Sequence, residues 1–160
     1  GFGPAVVAVL QAGYDWPAHV EGIDVGTPGL DLTPFVSGAD VVVFVDTVTS
    51  QGAPGDLCLY DKTEILRHAP QPRVGPHGPG VKEVLLMLDF AERGPAEVLL
   101  VGAIPLATPA TPGLSPPVRA AVAPAVHAVV EALRARGVEP VERPLSTPLQ
   151  PWWEVAPIYP

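Results

Sequence analysis

Two aspartates and one histidine lie where side chains can carry out chemistry. Asp24 lies near the end of the predicted short strand "HVEGIDVG", Asp46 ends the run "VVVFVD", and His77 lies in the loop "RVGPHGPG". Carboxylate oxygens and imidazole nitrogens bind borderline divalent metals such as zinc and nickel. Each residue also has a plainer interpretation, because aspartates often cap turns and lone histidines are commonly structural. No local ligand motif joins the three, so spacing alone does not establish a metal site.

The strands that must position these residues are predicted from apolar runs. Residues 41–45 are apolar without alternation, which indicates a strand buried on both faces, as in parallel sheets. A carboxylate at the end of such a strand either caps the next turn or faces the crevice at the carboxyl edge, where open α/β folds bind ligands. Further strands are predicted in "HVEGIDVG", "DLCLY" and "AEVLLVGAI".

Helices are predicted between the strands. Pro4 suits the first turn of a helix in "GFGPAVVAVLQ", and Asp61 and Glu64 have capping-box spacing before another. A long helix is expected from Ser115 to Gly137, with a kink where Pro124 cannot donate a hydrogen bond. Shorter helical segments are predicted in "GLDLTPFVSG", "DKTEILRHA" and "VKEVLLMLDFAE". Alternating strands and helices predict a layered α/β domain.

Composition narrows the class of protein. The 160 residues carry a net charge of −8, which argues against nucleic acid or an anionic membrane as the partner. No apolar run reaches the roughly 20 residues of a membrane-spanning helix. Cys58 is the single cysteine, so neither a disulfide framework nor a thiolate metal cluster is expected, and a reducing cytoplasm fits.

Two regions are expected along the chain. Residues 1–143 are predicted to form the α/β domain, and residues 144–160 a proline-rich tail. The tail contains Trp152 and Trp153, which either dock on a partner or fold back over the domain.

An ordered set of motifs resembles the hydrogenase maturation endopeptidases, which trim the C-terminal extension of the large subunit of nickel–iron hydrogenases. These motifs cover nearly everything before the tail: "IDVGTPGLDL", "VVVFVDTV", "GAPGDL", "GPHGPGVKEVLLML", "LLVGAIP" and "GLSPPVRAAV". The resemblance implies a three-layer fold, in which a twisted, mostly parallel sheet has helices on both faces.

The resemblance also assigns roles to the candidate residues. It implies that Asp46 and His77 contact a metal and that Asp24 is essential, either as a further ligand or as the general base on water. The metal would be nickel carried by the large-subunit precursor, which serves as the recognition signal, and another divalent metal can occupy the same site. A backbone nest for the substrate tail, or a plain turn, is expected at Gly26, Thr27 and Gly29.

The start of the sequence departs from the family pattern. The family begins with a strand, "L-G-x-G-N", and an acidic turn, whereas this sequence begins at "GFGPAVV". The first strand and a third acidic ligand are therefore absent from it. Omission of an N-terminal segment is the favoured explanation, because the other site residues are intact. The alternative is a degenerate copy that binds the hydrogenase subunit without cutting it.

Other catalytic classes have less support. The sequence shows no H-E-x-x-H zinc motif and no Ser-His-Asp or Cys-His arrangement. The family resemblance implies attack by water, and whether a metal or a carboxylate activates that water stays open. A peptidyl-tRNA hydrolase-like enzyme is a further alternative, but the acidic charge argues against it.

Overall fold

The computed structural model describes residues 1–26, 32–68, 80–106 and 113–144. Helices and short strands alternate along the chain. In chain order they are α1 (Phe2–Gly13), β1 (Tyr14–Asp15), α2 (Thr33–Val36), β2 (Val41–Thr47), β3 (Leu57–Asp61), α3 (Lys62–His68), α4 (Val81–Phe90), β4 (Glu97–Ala103), α5 (Pro116–Ala120), α6 (Val122–Arg134) and β5 (Val141–Glu142). The α/β class predicted from the sequence is confirmed.

The central sheet has three described strands in the order β2–β4–β3. Strand β2 runs parallel to β4, and β3 runs antiparallel to it. The register places Thr47, Ala103 and Leu57 in one row across the sheet. Strands β1 and β5 form a separate antiparallel pair. Within the described residues the central sheet is therefore mixed.

Strand β4 supplies both hydrophobic cores, because its successive side chains point to opposite faces of the sheet. On one face, Val101 and Ala103 pack with α1, α5 and α6. On the other face, Val98 and Leu100 pack with α2, α3 and α4. Helices thus cover both faces of the sheet, as the resemblance implies.

Several local predictions are confirmed. Helix α1 begins at Phe2, with Pro4 in its first turn. The capping box is reciprocal: the Asp61 N–H donates to Glu64 Oε2 at 2.9 Å, and the Glu64 N–H donates to Asp61 Oδ1 at 2.8 Å. Gly137 has a left-handed φ of +80° just beyond α6, as expected for a residue that ends a helix.

The long helix expected from Ser115 to Gly137 is two helices. The break falls at Ala121, between α5 and α6. Pro124 then lies in the first turn of α6, where its missing N–H leaves no hydrogen bond unmade. Ser115 occupies the capping position of α5, but its side chain makes no capping hydrogen bond.

Two strand predictions require correction. Residues 19–26 form no strand, because a strand needs a neighbour to satisfy its backbone and none of the described strands pairs with this segment. Strand β2 was expected to be buried on both faces, but most of it is only half-buried, because it lies at the edge of the described sheet. The buried central strand is β4.

Two further sequence predictions concern membrane-spanning helices and the C-terminal tail. Within the described residues, no helix is both long enough and apolar enough to cross a membrane. Beyond Pro144 the predicted tail, including Trp152 and Trp153, lies outside the described residues. The limits of the domain and of the tail therefore stay predictions.

Candidate active site

Asp46 is the penultimate residue of β2, at the carboxyl end of the strand. The Thr47 N–H donates a hydrogen bond of 2.7 Å to its Oδ1 atom. Part of the residue reaches solvent, yet the surrounding protein desolvates the carboxylate and raises its pKa above the ordinary value. Hydrogen bonds from Thr47 act in the opposite direction. The strand therefore presents a restrained carboxylate at the edge of the sheet, as the apolar run predicts.

Asp24 lies in the exposed segment that follows β1, outside any helix or strand. Its Oδ1 atom accepts a hydrogen bond of 3.0 Å from the Gly26 N–H. Gly26 has a left-handed φ of +65°, a conformation that glycine adopts at little cost. The Asp24 carboxylate is thus restrained by a local turn.

Asp24 and Asp46 both act electrostatically on the start of α1. Burial lowers the pKa of the Gly1 amino group, and the negative charges of Asp24 and Asp46 raise it. Both carboxylates therefore lie within electrostatic reach of the same nitrogen. The first turn of α1 also packs tightly on β2, since a Cβ atom at Gly3 would lie 2.4 Å from the Val45 carbonyl oxygen.

The structure describes two of the three predicted chemical residues, Asp24 and Asp46, and both act electrostatically on Gly1. His77, Thr27 and Gly29 lie outside the described residues, so their places in the site stay predictions. Among the described residues, no group of three histidine, cysteine, aspartate or glutamate side chains is arranged to hold a metal ion. The Asp24–Asp46 pair supplies hard oxygen ligands that suit a divalent cation.

Three other residues with reactive side chains lie outside the candidate site. Cys58 is half-buried on β3 and packs against the core formed with α3 and α4. His19 and His127 are exposed. Sequence reasoning missed the contribution of Thr47, whose backbone and side chain both hydrogen-bond the Asp46 carboxylate.

A shallow apolar groove lies near the same edge of the sheet. Its volume is about 500 Å³, and Pro54, Leu57, Pro117 and Pro124 are among the residues that line it. Leu57 shares a row with Thr47 across the sheet, two strands away. At the usual strand spacing this is about 10 Å. The groove therefore begins two strands away from Thr47, the neighbour of Asp46.

An α/β domain with paired carboxylates at the carboxyl edge of its sheet has the features of a hydrolase that activates water. The family model described as hydrogenase maturation protease matches residues 4–132. The chain belongs to the hydrogenase maturation protease family and is an endopeptidase of hydrogenase maturation. The resemblance and the enzyme class predicted from the sequence are therefore confirmed.

Relatives from several organisms agree with this assignment. The chain is 33% identical over 142 residues to the hydrogenase 2 maturation protease of Escherichia coli (strain K12), covering 88% of this chain and 86% of the relative. It is 35% identical over 139 residues to the hydrogenase expression/formation protein HoxM of Azotobacter vinelandii, covering 86% of this chain and 67% of the relative. The solved structure of the hydrogenase maturating endopeptidase HybD from E. coli matches with a TM-score of 0.80 and 33% identity. The match covers 89% of this chain and 88% of the solved chain.

Proposed function

We propose that the protein removes the C-terminal extension of a nickel-loaded large-subunit precursor of a nickel–iron hydrogenase. The observation that carries this proposal is the match of residues 4–132 to the hydrogenase maturation protease family, in a chain that presents the Asp46 carboxylate at the carboxyl end of β2. Two carboxylates at one place can bind a cation and activate a water molecule. The names of the matched family and relatives support hydrogenase maturation as the process.

Nickel belongs to the substrate in this proposal. Asp46 and His77 would contact the nickel of the precursor, and another divalent metal can occupy the same site. The negative charge of Asp46 favours a cation, and its hydrogen bond from Thr47 holds the carboxylate in one orientation. Contact with the nickel would bring only a loaded precursor to the catalytic groups, so the metal would serve as the recognition signal.

Asp24 is the proposed catalytic residue. It would act as general base on the attacking water, or bind the metal beside Asp46, and both roles require an ionised carboxylate. The loop that begins with Gly26, Thr27 and Gly29 would cradle the C-terminal extension through its backbone N–H groups. The reaction would take place in the cytoplasm, where a reduced Cys58 is stable.

The test compares two forms of the large-subunit precursor, one loaded with nickel and one free of it. Each is incubated with the protein, and mass spectrometry measures loss of the C-terminal extension. We expect cleavage of the loaded form alone. Equal cleavage of both forms would contradict the role of nickel. Binding of the loaded precursor without any cleavage would instead support the non-catalytic assembly alternative.

A matched pair of variants tests the site itself. Asp24→Asn keeps an oxygen that can accept the Gly26 N–H but removes the negative charge, so cleavage should be lost while the fold is retained. Asp40→Asn makes the same change at an exposed residue just before β2, at the opposite end of that strand, and should leave cleavage unchanged. Normal cleavage by Asp24→Asn would exclude Asp24 from catalysis.

A further inference from the structure

We propose that Gly102 is a positioning residue for Asp46, because its missing side chain leaves the space in which Val48 anchors the carboxyl end of β2. Gly102 lies directly opposite Asp46 in the register of β2 and β4. Val48 follows the last residue of β2, and its side chain is fully buried. The inference rests on the proposed function, in which the Asp46 carboxylate contacts the nickel of the precursor.

The contact between Gly102 and Val48 leaves no room for a further carbon atom. A Cβ atom added at Gly102 would lie 2.5 and 2.6 Å from the two methyl carbons of Val48 and 3.1 Å from its Cβ atom. Rotation about χ1 of Val48 would not clear this space, since every staggered rotamer keeps at least one methyl group on that side. Val48 also packs within the core formed with α2, α3 and α4, where side chains leave few voids. A side chain at position 102 must therefore displace Val48.

The backbone of Val48 ties down the end of β2. Among the described strands, β2 has a neighbour on one side only, which is β4. The Val48 N–H donates to the Ala103 carbonyl at 2.9 Å, and residues 49 and 50, which follow, are exposed and outside any strand. The end of a strand frays where such contacts are lost. Displacement of Val48 should therefore loosen the end of β2.

Loosening at Val48 would release the hydrogen bond that restrains Asp46. The Thr47 N–H, which donates to Asp46 Oδ1 at 2.7 Å, belongs to the peptide unit between these two residues. Its direction depends on the backbone torsions of Asp46 and Thr47. These torsions are fixed while Asp46 is paired with β4 on one side of Thr47 and Val48 is bonded to Ala103 on the other. Once Val48 is displaced, Thr47 can rotate, and the carboxylate loses the donor that fixes its orientation.

A double-mutant cycle isolates this contact. It compares kcat/KM of wild type, Gly102→Ala, Val48→Ala and the double variant, with the nickel-loaded precursor as substrate and at a temperature where each protein is folded. In the presence of Val48, Gly102→Ala should lower kcat/KM by about tenfold to a hundredfold, as for other residues that support a metal ligand. In the Val48→Ala background the two nearest carbon atoms are gone, so the same substitution should change kcat/KM by less than about threefold.

Leu85→Ala is the matched control for lost stability. Leu85 is fully buried in the same core as Val48, but it belongs to α4 and not to β2 or β4. Its substitution should lower the Tm by at least about 4 °C and leave kcat/KM unchanged. A loss of activity that is confined to Gly102→Ala therefore comes from the position of Asp46 and not from reduced stability.

Amide hydrogen exchange followed by NMR measures the anchor directly, without any substrate. In Gly102→Ala the Val48 N–H should exchange at least about tenfold faster than in the wild type. The Glu97 N–H donates to the Asp40 carbonyl at 3.1 Å, at the opposite end of the same two strands, and should keep its exchange rate.

Three results would overturn the proposal: an unchanged kcat/KM for Gly102→Ala, an equal loss in both backgrounds of the cycle, or an unchanged exchange rate of the Val48 N–H. A Gly102→Ala protein that does not fold would also overturn it, because the contact would then support the whole domain. Asp46→Asn in the same assay separates the two proposals. If it is inactive while Gly102→Ala is normal, only the positioning role fails; if it cleaves normally, the metal contact of Asp46 fails as well.

Discussion

Replacing Asp46 by asparagine is expected to leave the fold intact while removing activity. The two side chains are nearly isosteric, and the asparagine Oδ1 atom can still accept the Thr47 N–H, which lies 2.7 Å from it in the wild type. Asp46 reaches solvent in part and belongs to neither hydrophobic core, so no core contact is lost. The free energy of unfolding should therefore change by no more than about 0.5 kcal/mol. For a domain of this size that corresponds to a Tm shift within about 2 °C.

The direction of this small change follows from the pKa of Asp46. Burial raises that pKa above its ordinary value, so ionisation of the carboxyl group costs stability in the folded protein. The wild type is stabilised by protonation of Asp46 in acid and loses this contribution as the pH rises through the raised pKa. The asparagine variant should thus be as stable as the wild type, or slightly more stable, at neutral pH. The stability advantage of the asparagine variant over the wild type should vanish below about pH 4.

The expected effect on activity is much larger. Asparagine lacks the negative charge that favours a divalent cation, and even indirect supports of a metal ligand contribute about 10–100-fold. Loss of a direct contact should therefore reduce cleavage of the nickel-loaded precursor by at least about a hundredfold.

The assay combines mass spectrometry of the precursor with thermal melting followed by circular dichroism, and Asp40→Asn is the control. Normal cleavage by a folded Asp46→Asn protein would refute the metal contact. A large fall in Tm would refute the stability argument, because it would show that the carboxylate supports the fold.

Four further substitutions test other parts of the molecule. His77→Ala should abolish processing at an unchanged Tm, because a loop so rich in glycine and proline gives His77 little packing; full processing would remove it from the site. Gly3→Ala should destabilise the protein by about 1–3 kcal/mol in urea unfolding, since the new methyl group would meet the Val45 carbonyl oxygen at 2.4 Å. Leu85→Ala should cost about 2–5 kcal/mol, because Leu85 is fully buried. Phe90→Ser on the same helix should cost less than about 0.5 kcal/mol, since Phe90 is 93% exposed, and equal losses at the two positions would contradict the assigned core.

The sequence by itself determined the elements whose signals are local. Asp61 and Glu64 form the capping box that their spacing predicts, because its hydrogen bonds join residues three positions apart. The apolar run before Asp46 determined both a strand and the location of a carboxylate at its end. The family was also identifiable, because its motifs occur in order along the chain.

Only the tertiary structure decided which strand lies at the centre of the sheet and which strand-like segment pairs with a neighbouring strand. Residues 41–45 and 98–101 are both apolar runs, but only the second lies between two other described strands, and burial depends on neighbours. The stretch at 19–26 has a strand-like sequence yet forms no strand, because none of the described strands supplies it with hydrogen-bonding partners.

The candidate site also required the fold. Asp24 and Asp46 are separated in sequence by a helix and most of a strand, and no spacing rule connects them. The first turn of α1 packs against the end of β2, where the absence of a side chain at Gly3 permits close approach, and both carboxylates lie within electrostatic reach of Gly1. Side-chain chemistry along the chain identified the two carboxylates, but only the contact between a helix and a strand places the start of α1 beside the end of β2.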